Sequence, residues 1–155
     1  MKETYLVLLY YCYTNISKPN KFREKHHLFC IDNNLKGRII VSKEGINGTI
    51  SGKKNDCENY MKKIYSDIRF KNVEFKIAKY PKNVFNKLNV RLKKEIVNSG
   101  IKNIDPNKLS GKYIEPKEFK SILKNNDDDV VILDIRSNYE YNVGKFKNAI
   151  TLDIE

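Results

Sequence analysis

The chain has 155 residues, of which 40% are hydrophobic, enough for one globular domain with a full core or for one small domain and part of another. No apolar run approaches the roughly eighteen residues that a membrane-spanning helix needs. The first residues lead directly into a strand-like run, without the apolar segment and cleavage site of a secretory leader, so we expect a cytoplasmic protein.

Positive charge is concentrated in the first part of the chain. The 30 Lys and Arg residues exceed the 19 Asp and Glu residues, for a net charge of +11; residues 1–98 alone carry +12 and residues 99–155 carry −1. A strongly basic domain favours a polyanionic partner such as RNA, DNA or an anionic membrane surface. Compositional bias is the alternative, because the chain is rich in Lys, Asn and Ile. Charge alone leaves both interpretations open.

A strand and a helix are predicted first. Residues 6–13 are apolar and aromatic, and Pro19 suits the first turn of a helix that continues to Asn33. Three- and four-residue steps put a core-facing stripe on one side of this helix, made of Phe22, His26, Phe29 and Cys30. As an adjacent pair, His26 and His27 point about 100° apart and cannot easily share a metal, so we expect the pair on a solvated face.

Residues 38–52 form two short β-type runs that meet at a turn. Gly45 and the Asn47-Gly48 pair are expected to supply the positive φ values of a sharp reversal. A second amphipathic helix follows a cap at Asn55 or Asp56, with apolar residues at Cys57, Met61, Ile64, Tyr65 and Ile68. Residues 73–78 then alternate, as in a strand with one buried face.

The resulting β-α-β-β-α-β order predicts an α+β, ferredoxin-like domain over residues 1–98. Two helices would cover one face of a four-stranded antiparallel sheet and leave the other face free. Open sheet faces of this kind often bind RNA. Residues 85–97 alternate and then change pattern, which predicts an extended arm, and residues 99–111 have the composition of a linker.

Residues 112–155 predict the beginning of an α/β domain. A short helix opens at Glu115-Pro116, and residues 130–133 are apolar throughout, as in a strand covered on both faces of a parallel sheet. A helical turn at residues 139–141 and a strand from Ala149 follow. Because this segment is too short to cover such a strand, we expect an incomplete domain that is poorly ordered or covered by other parts.

Three blocks carry a family resemblance: residues 37–52, residues 90–97, and residues 131–150 with their Asp134-Ile135-Arg136 and Tyr139-Glu140-Tyr141 motifs. Together they resemble the bacterial tRNA uridine hydroxylase family. The Glu-Gly-Ile-Asn-Gly-Thr hairpin is the most specific block, and the last block is a more general rhodanese pattern. The resemblance implies an acylphosphatase-like N-terminal domain, a rhodanese domain, and oxygen-dependent hydroxylation of the tRNA wobble uridine to 5-hydroxyuridine.

One departure from the family concerns the rhodanese cysteine, which follows a further strand in a loop that lowers its pKa. Cys12, Cys30 and Cys57 all precede the rhodanese-like part, so none corresponds to it. We therefore expect residues 112–155 to be a rhodanese domain truncated before the cysteine loop. We expect the three thiols to be ordinary buried or half-buried residues, since no metal-ligand spacing accompanies them.

The turn within residues 38–52, which we call the tip, and the family resemblance together suggest candidate site residues. Glu44, as acceptor or proton carrier, and Asn47 are the candidate catalytic residues; turn chemistry with a salt bridge from Glu44 to Lys43 or Arg38 is the alternative. Phosphate contacts would come from Arg38, Lys43, Arg91, Lys93 and Lys94, with a solvated charged face as the alternative.

Asp134 and Arg136 are expected to form a structural pair at a strand end. The resemblance implies tRNA as partner, rather than a membrane, and molecular oxygen as co-substrate; no metal site or cofactor motif is predicted. Acylphosphatase activity is not expected, because residues 13–18 contain no arginine or glycine, and sulfurtransferase activity would need the absent cysteine. A non-catalytic basic RNA-binding module, or a degraded gene product, is the competing interpretation.

Overall fold

The computed structural model describes residues 4–97, 111–125 and 129–152. The chain divides into two compact units, Met1–Ser110 and Gly111–Glu155. The predicted linker, apart from Gly111, lies outside the described residues. Within the part of the chain that the structure describes, no helix is long and apolar enough to cross a membrane.

The first unit is built from two helices and five strands. In chain order they are β1 (Tyr5–Tyr13), α1 (Pro19–Asp32), β2 (Lys36–Ser42), β3 (Gly45–Lys53), α2 (Lys54–Tyr65), β4 (Lys76–Tyr80) and β5 (Leu88–Leu92), with a 3-10 turn at Ile68–Phe70. The strand order across the sheet is β4-β1-β3-β2-β5. All neighbours are antiparallel except β2 and β5, which are parallel.

The ferredoxin-like α+β fold is confirmed, but the four-stranded antiparallel sheet was wrong. The segment predicted as an extended arm contributes β5, which adds a parallel fifth strand at the β2 edge. The sequence did show the alternation of a strand there, with Val90 buried at 8% exposure. Because a parallel strand needs a crossover connection, local pattern alone gave no indication of where the segment would pair.

One face of the sheet packs against both helices and forms the core. Leu8, Ile39, Ile46 and Ile50 from the three central strands are fully buried there against Cys30 of α1 and Cys57, Tyr60 and Ile64 of α2. Burial raises the pKa of the Cys30 thiol to about 12 and that of Cys57 to about 11, and Cys12 is half-buried. The expectation of ordinary buried or half-buried thiols is confirmed.

His26 corrects the expectation of a solvated histidine pair. It is only 6% exposed, and its Nε2 lies 2.7 Å from the hydroxyl of Tyr60, which also bonds the hydroxyl of Tyr10. The core-facing stripe predicted for α1 is therefore the pattern that decides the position of His26. Burial and the nearby Lys63 charge lower the pKa of His26 to about 4, so the ring is neutral in the folded protein.

Several local expectations fail around α2 and β4. The helix begins at Lys54, so neither Asn55 nor Asp56 is its N-cap, and Ile68 lies in the 3-10 turn with 74% of its surface exposed. The β4 strand begins at Lys76 rather than Val73, and all its residues are exposed. Strand β4 lies at the sheet edge, whereas Val73 enters the core before the strand begins.

The second unit is a small α/β arrangement of α3 (Pro116–Asn125), β6 (Leu133–Asp134), α4 (Asn138–Val143) and β7 (Ile150–Thr151). Strands β6 and β7 are parallel, as expected. The apolar run is not covered on both faces, since Val131 is 72% exposed and Leu133 is 45% exposed, which agrees with a segment too short to cover it. Two short helices and two-residue strands cannot cover an apolar strand on both faces.

Candidate functional site

The turn between β2 and β3 is shaped by Gly45. Its φ is +150°, and a Cβ there would lie 2.0 Å from the carbonyl oxygen of Cys12 in β1. No other residue type fits so close to a neighbouring backbone. The Asn47-Gly48 pair, by contrast, lies within β3 and does not make the turn. Gly48 is needed for packing instead, because a Cβ there would lie 2.4 Å from the Tyr10 hydroxyl oxygen.

The side chains of Glu44 and Asn47 hold the backbone of one residue beyond β5. The Oε1 atom of Glu44 accepts a hydrogen bond from the Ile96 N–H at 2.7 Å, and Nδ2 of Asn47 donates to the Ile96 carbonyl at 3.0 Å. Ile96 itself is 2% exposed. We call Glu44, Asn47 and Ile96 the tip clamp. Among the described residues, neither Lys43 nor Arg38 forms a salt bridge with Glu44.

Further hydrogen bonds brace the turn from both sides. The Ser42 hydroxyl donates to the Lys94 carbonyl at 2.8 Å and accepts from the N–H of Glu44 at 3.1 Å. On the other side, the N–H groups of Thr14 and Ile16 donate to the carbonyls of Glu44 and Lys43, each at 2.8 Å. The turn therefore contacts both the segment that follows β1 and the segment that follows β5, unlike a hairpin turn that is exposed to solvent.

The sheet face turned away from the helices is the second candidate surface. Its register brings Leu9, Thr49, Arg38 and Asn89 into one row across β1, β3, β2 and β5. The next row contains Tyr11, Asn47, Ile40 and Arg91. We call the residues of these two rows, apart from Asn47, the open face. Tyr11 is 64% exposed, Leu9 is 44% exposed, and both arginines are exposed.

A cleft of about 460 Å³ lies at one end of the open face. The connection from β4 to β5 crosses the sheet there, and Nδ2 of Asn83 donates to the Ser51 carbonyl at 3.3 Å on the way. Its lining residues supply one aromatic ring, two cations and two small polar groups: Gly37, Arg38, Thr49, Phe85, Lys87 and Asn89. The cleft can therefore accept a flat ring and an anion together.

The predicted phosphate-binding residues form two groups. Arg38 and Arg91 share the open face, and Nε of Arg91 donates to Oδ1 of Asn89 at 3.0 Å. Lys43, Lys93 and Lys94 are exposed at the tip, where the Lys93 N–H donates to the Val41 carbonyl and continues the β2–β5 ladder. All five cations are exposed, as phosphate contacts require.

Asp134 and Arg136 form an ion pair in the second unit. The Arg136 Nη2 atom lies 2.6 Å from Oδ2 of Asp134 and also donates to the Gly144 carbonyl at 2.7 Å. The arginine holds the pKa of the Asp134 carboxyl below its usual range. Ser137 and Glu140 add a capping box at the start of α4. These contacts link the end of β6 to both ends of α4.

Sequence reasoning missed Ile96 and Tyr11. The sequence of β1 is apolar and aromatic throughout, so it does not distinguish the two faces of the strand; the structure does, with Leu6, Leu8 and Tyr10 buried and Leu9 and Tyr11 exposed. No local signal marks Ile96, because its role depends on a contact 52 residues away along the chain. Within the described ranges, no three His, Cys, Asp or Glu side chains are grouped to hold a metal ion.

A family model and several known proteins match this chain. Residues 5–96 match the family of the UPF0176 acylphosphatase like domain. The chain is 52% identical over 155 residues to a tRNA uridine(34) hydroxylase of Cytophaga hutchinsonii, covering 49% of that protein. It is 49% identical over 151 residues to a tRNA uridine(34) hydroxylase of Staphylococcus haemolyticus, covering 97% of this chain and 47% of that one.

The chain thus spans about half the length of these relatives. Among solved structures, the dark state of the BLUF protein BlrB aligns with 58% of this chain and 74% of its own, at a TM-score of 0.47 and 12% identity, a likeness too weak to bear on the fold. The match over residues 5–96 covers more than half of the chain and nearly all of the first unit that the structure describes. The chain therefore belongs to the UPF0176 acylphosphatase like domain family and is a relative of the tRNA uridine(34) hydroxylases.

Proposed function

We propose that this chain takes part in hydroxylation of the tRNA wobble uridine to 5-hydroxyuridine in the cytoplasm, and that its first unit holds the tRNA. The proposal rests mainly on sequence similarity: about half of the aligned residues are identical to those of tRNA uridine(34) hydroxylases, over 97% to 100% of this chain. Molecular oxygen would be the co-substrate. The net charge of +12 in residues 1–98 supports a polyanionic partner for this part of the chain.

The placement of the cations supports the same role. The two arginines are exposed on the open face, and the three lysines are exposed at the tip. Phosphate contacts position a nucleic acid without reading its sequence, so these residues would set the orientation of the tRNA. The choice of a uridine would then depend on other groups near the tip.

Glu44 and Asn47 remain our candidates for the reacting end of the site. Their hydrogen bonds to Ile96 support a positioning role, because they fix the chain segment that follows β5. A part in proton transfer stays a prediction. We further propose that residues 112–155 begin a rhodanese domain, and that the cysteine of that domain is needed to complete the reaction.

Mass spectrometry of tRNA from a hydroxylase-deficient host tests the catalytic part of this proposal. Expression of these 155 residues should leave the wobble uridine unmodified, whereas expression of a full-length relative should restore 5-hydroxyuridine. Hydroxylated wobble uridine produced by the 155 residues alone would contradict the requirement for the rhodanese cysteine. Purified chain should also bind tRNA at low ionic strength and release it as salt is added.

A non-catalytic tRNA-binding module is the second candidate. It is favoured by the tip clamp, in which both candidate catalytic side chains are used to hold Ile96. The role of this carboxylate can be tested in a full-length relative carrying glutamine at the position of Glu44. Such a variant should keep tRNA binding and lose hydroxylation if the carboxylate takes part in the reaction, and should keep both if the carboxylate only holds the backbone.

A further inference from the structure

The open face has the shape and the side chains to do more than attract phosphates. We propose that it binds unpaired nucleotides, with the Tyr11 ring stacking on a base and Arg38 and Arg91 contacting neighbouring phosphates. The inference rests on the proposed tRNA-binding function and names the part of the tRNA concerned, an unpaired loop rather than a paired stem.

Tyr11 is an exposed aromatic residue on the open face. It pairs with Asn47 of β3 on one side, whereas the pairing of β1 with β4 ends at Leu9, so the ring lies just beyond the end of β4. It is 64% exposed, and its ring makes an edge-on contact with Tyr13, with ring centroids 6.2 Å apart. Its hydroxyl has no hydrogen-bond partner among the described residues. A ring exposed on a sheet in this way is a stacking surface for a base.

The two arginines lie close enough to Tyr11 to contact the phosphates of a nucleotide that is stacked on its ring. Arg91 is in the same row as Tyr11, three strands away, and Arg38 is two strands away in the next row. Strand spacing puts their Cα atoms roughly 12 to 15 Å from that of Tyr11. Side chains of this length can therefore reach phosphates next to a base that is stacked on the tyrosine.

Arg38 and Arg91 are also available to a ligand. No carboxylate pairs with either of them in residues 4–97, 111–125 or 129–152. Arg91 is oriented by its hydrogen bond to Asn89 and retains its other donors. Arg38 also lines the cleft with Phe85 and Lys87, which extends the basic and aromatic surface beyond the first row.

Two acidic residues lie close to Tyr13, at the tip. Burial and the charges of Glu44 and Glu95 raise the pKa of Tyr13, which shows that negative charge is close to that ring. The phosphates next to a base stacked on Tyr11 are therefore expected over Arg38 and Arg91. A surface that combines an exposed ring with two guanidinium groups is complementary to single-stranded RNA, whose bases are free to stack, whereas a duplex presents mainly phosphates.

Fluorescence anisotropy with the full chain tests the proposal, using oligouridylate and a blunt RNA duplex with the same number of phosphates. Tyr11→Ala and Tyr11→Leu should weaken oligouridylate binding by about five-fold or more, because both lack the ring. Tyr11→Phe should bind like the wild type, because stacking does not need the hydroxyl. The matched control is Tyr113→Ala, which changes a tyrosine that is 80% exposed in the second unit.

The results separate this inference from the function on which it rests. If the chain binds tRNA in a salt-sensitive way but Tyr11→Ala and Tyr11→Leu bind oligouridylate as the wild type does, the stacking site is wrong and the tRNA-binding function stands. The same conclusion follows if Tyr11→Ala weakens duplex binding as much as oligouridylate binding. If the wild-type chain binds neither tRNA nor oligouridylate, both proposals are wrong. Circular dichroism and thermal melting first establish that each variant is folded.

Discussion

The carboxylate of Glu44 accepts a hydrogen bond from the backbone N–H of Ile96 at 2.7 Å, across 52 residues of sequence. Asn47 completes the contact by donating to the carbonyl of the same residue. A carboxylate beside three lysines would ordinarily be assigned to a surface salt bridge, which contributes little to stability. Here it satisfies a backbone donor of a residue that is almost fully buried, so it has a defined structural task.

Removing the Glu44 acceptor should destabilise the first unit. Glu44→Ala leaves the Ile96 N–H without its partner, and we expect the free energy of unfolding to fall by about 1 to 3 kcal/mol. Glu44→Gln should retain most of the stability, because its amide oxygen can still accept. Chemical denaturation measures both effects. Glu24→Ala, at an exposed position on α1, should change stability by less than about 0.5 kcal/mol. Equal stability of Glu44→Ala and wild type would contradict the tip clamp.

Substitution of Gly45 tests the geometry of the turn. Gly45→Ala adds a Cβ 2.0 Å from the Cys12 carbonyl oxygen at a φ of +150°, so a backbone segment must move. We expect a loss of at least about 2 kcal/mol in unfolding free energy, measured by thermal or chemical denaturation. Gly144→Ala is the control, since its φ of 176° is extended and nothing lies within 4 Å of the added Cβ. Equal effects of the two substitutions would refute this account of the turn.

His26 should make the stability of the first unit depend on pH. Its pKa is about 4 in the folded protein and about 6.5 when unfolded, so the unfolded chain binds the proton first as pH falls. Stability is expected to be highest above about pH 6.5 and to decrease by up to about 3 kcal/mol as pH falls to about 4. The physical cause is the burial of the ring against Tyr60 and the charge of Lys63.

A comparison with His26→Gln isolates this contribution. Glutamine can still bond the Tyr60 hydroxyl but does not titrate, whereas the carboxylates of the chain titrate in both proteins. The difference in unfolding free energy between the two proteins should therefore change between pH 7 and pH 4.5. A difference that stays constant over this range would mean that His26 is not held neutral by the fold.

Local pattern predicted the parts of the fold that depend on neighbouring residues. The stripe on α1 identified the core-facing side of that helix, and the two helices and first three strands follow in the expected order. The position of β5 could not be predicted in this way. It pairs with β2, about 50 residues earlier, and that choice depends on which sheet edge remains free after β4 has paired with β1.

In the candidate site, too, local features could be predicted from the sequence and long-range contacts could not. Gly45 predicted the turn, whereas the Asn47-Gly48 pair lies within β3; the composition predicted a basic first unit. The partner of Glu44 could not be predicted, because Ile96 carries no sequence motif and reaches the tip only once β5 is in place. The alternative to a catalytic role, a salt bridge from Glu44 to Lys43 or Arg38, was a local inference, and the structure shows a long-range hydrogen bond to Ile96 instead.

The central claim is that the basic first unit binds tRNA through the open face. The most direct test is to measure how tRNA affinity depends on salt concentration. Wild type is compared with the double variant Arg38→Ala/Arg91→Ala. The control is the double variant Lys25→Ala/Lys62→Ala, at exposed positions on α1 and α2. Wild-type affinity should fall linearly on logarithmic axes, with the slope reduced by about one to two units in the arginine variant and unchanged in the control. No salt-sensitive tRNA binding, or equal slopes for the arginine variant and wild type, would contradict the claim.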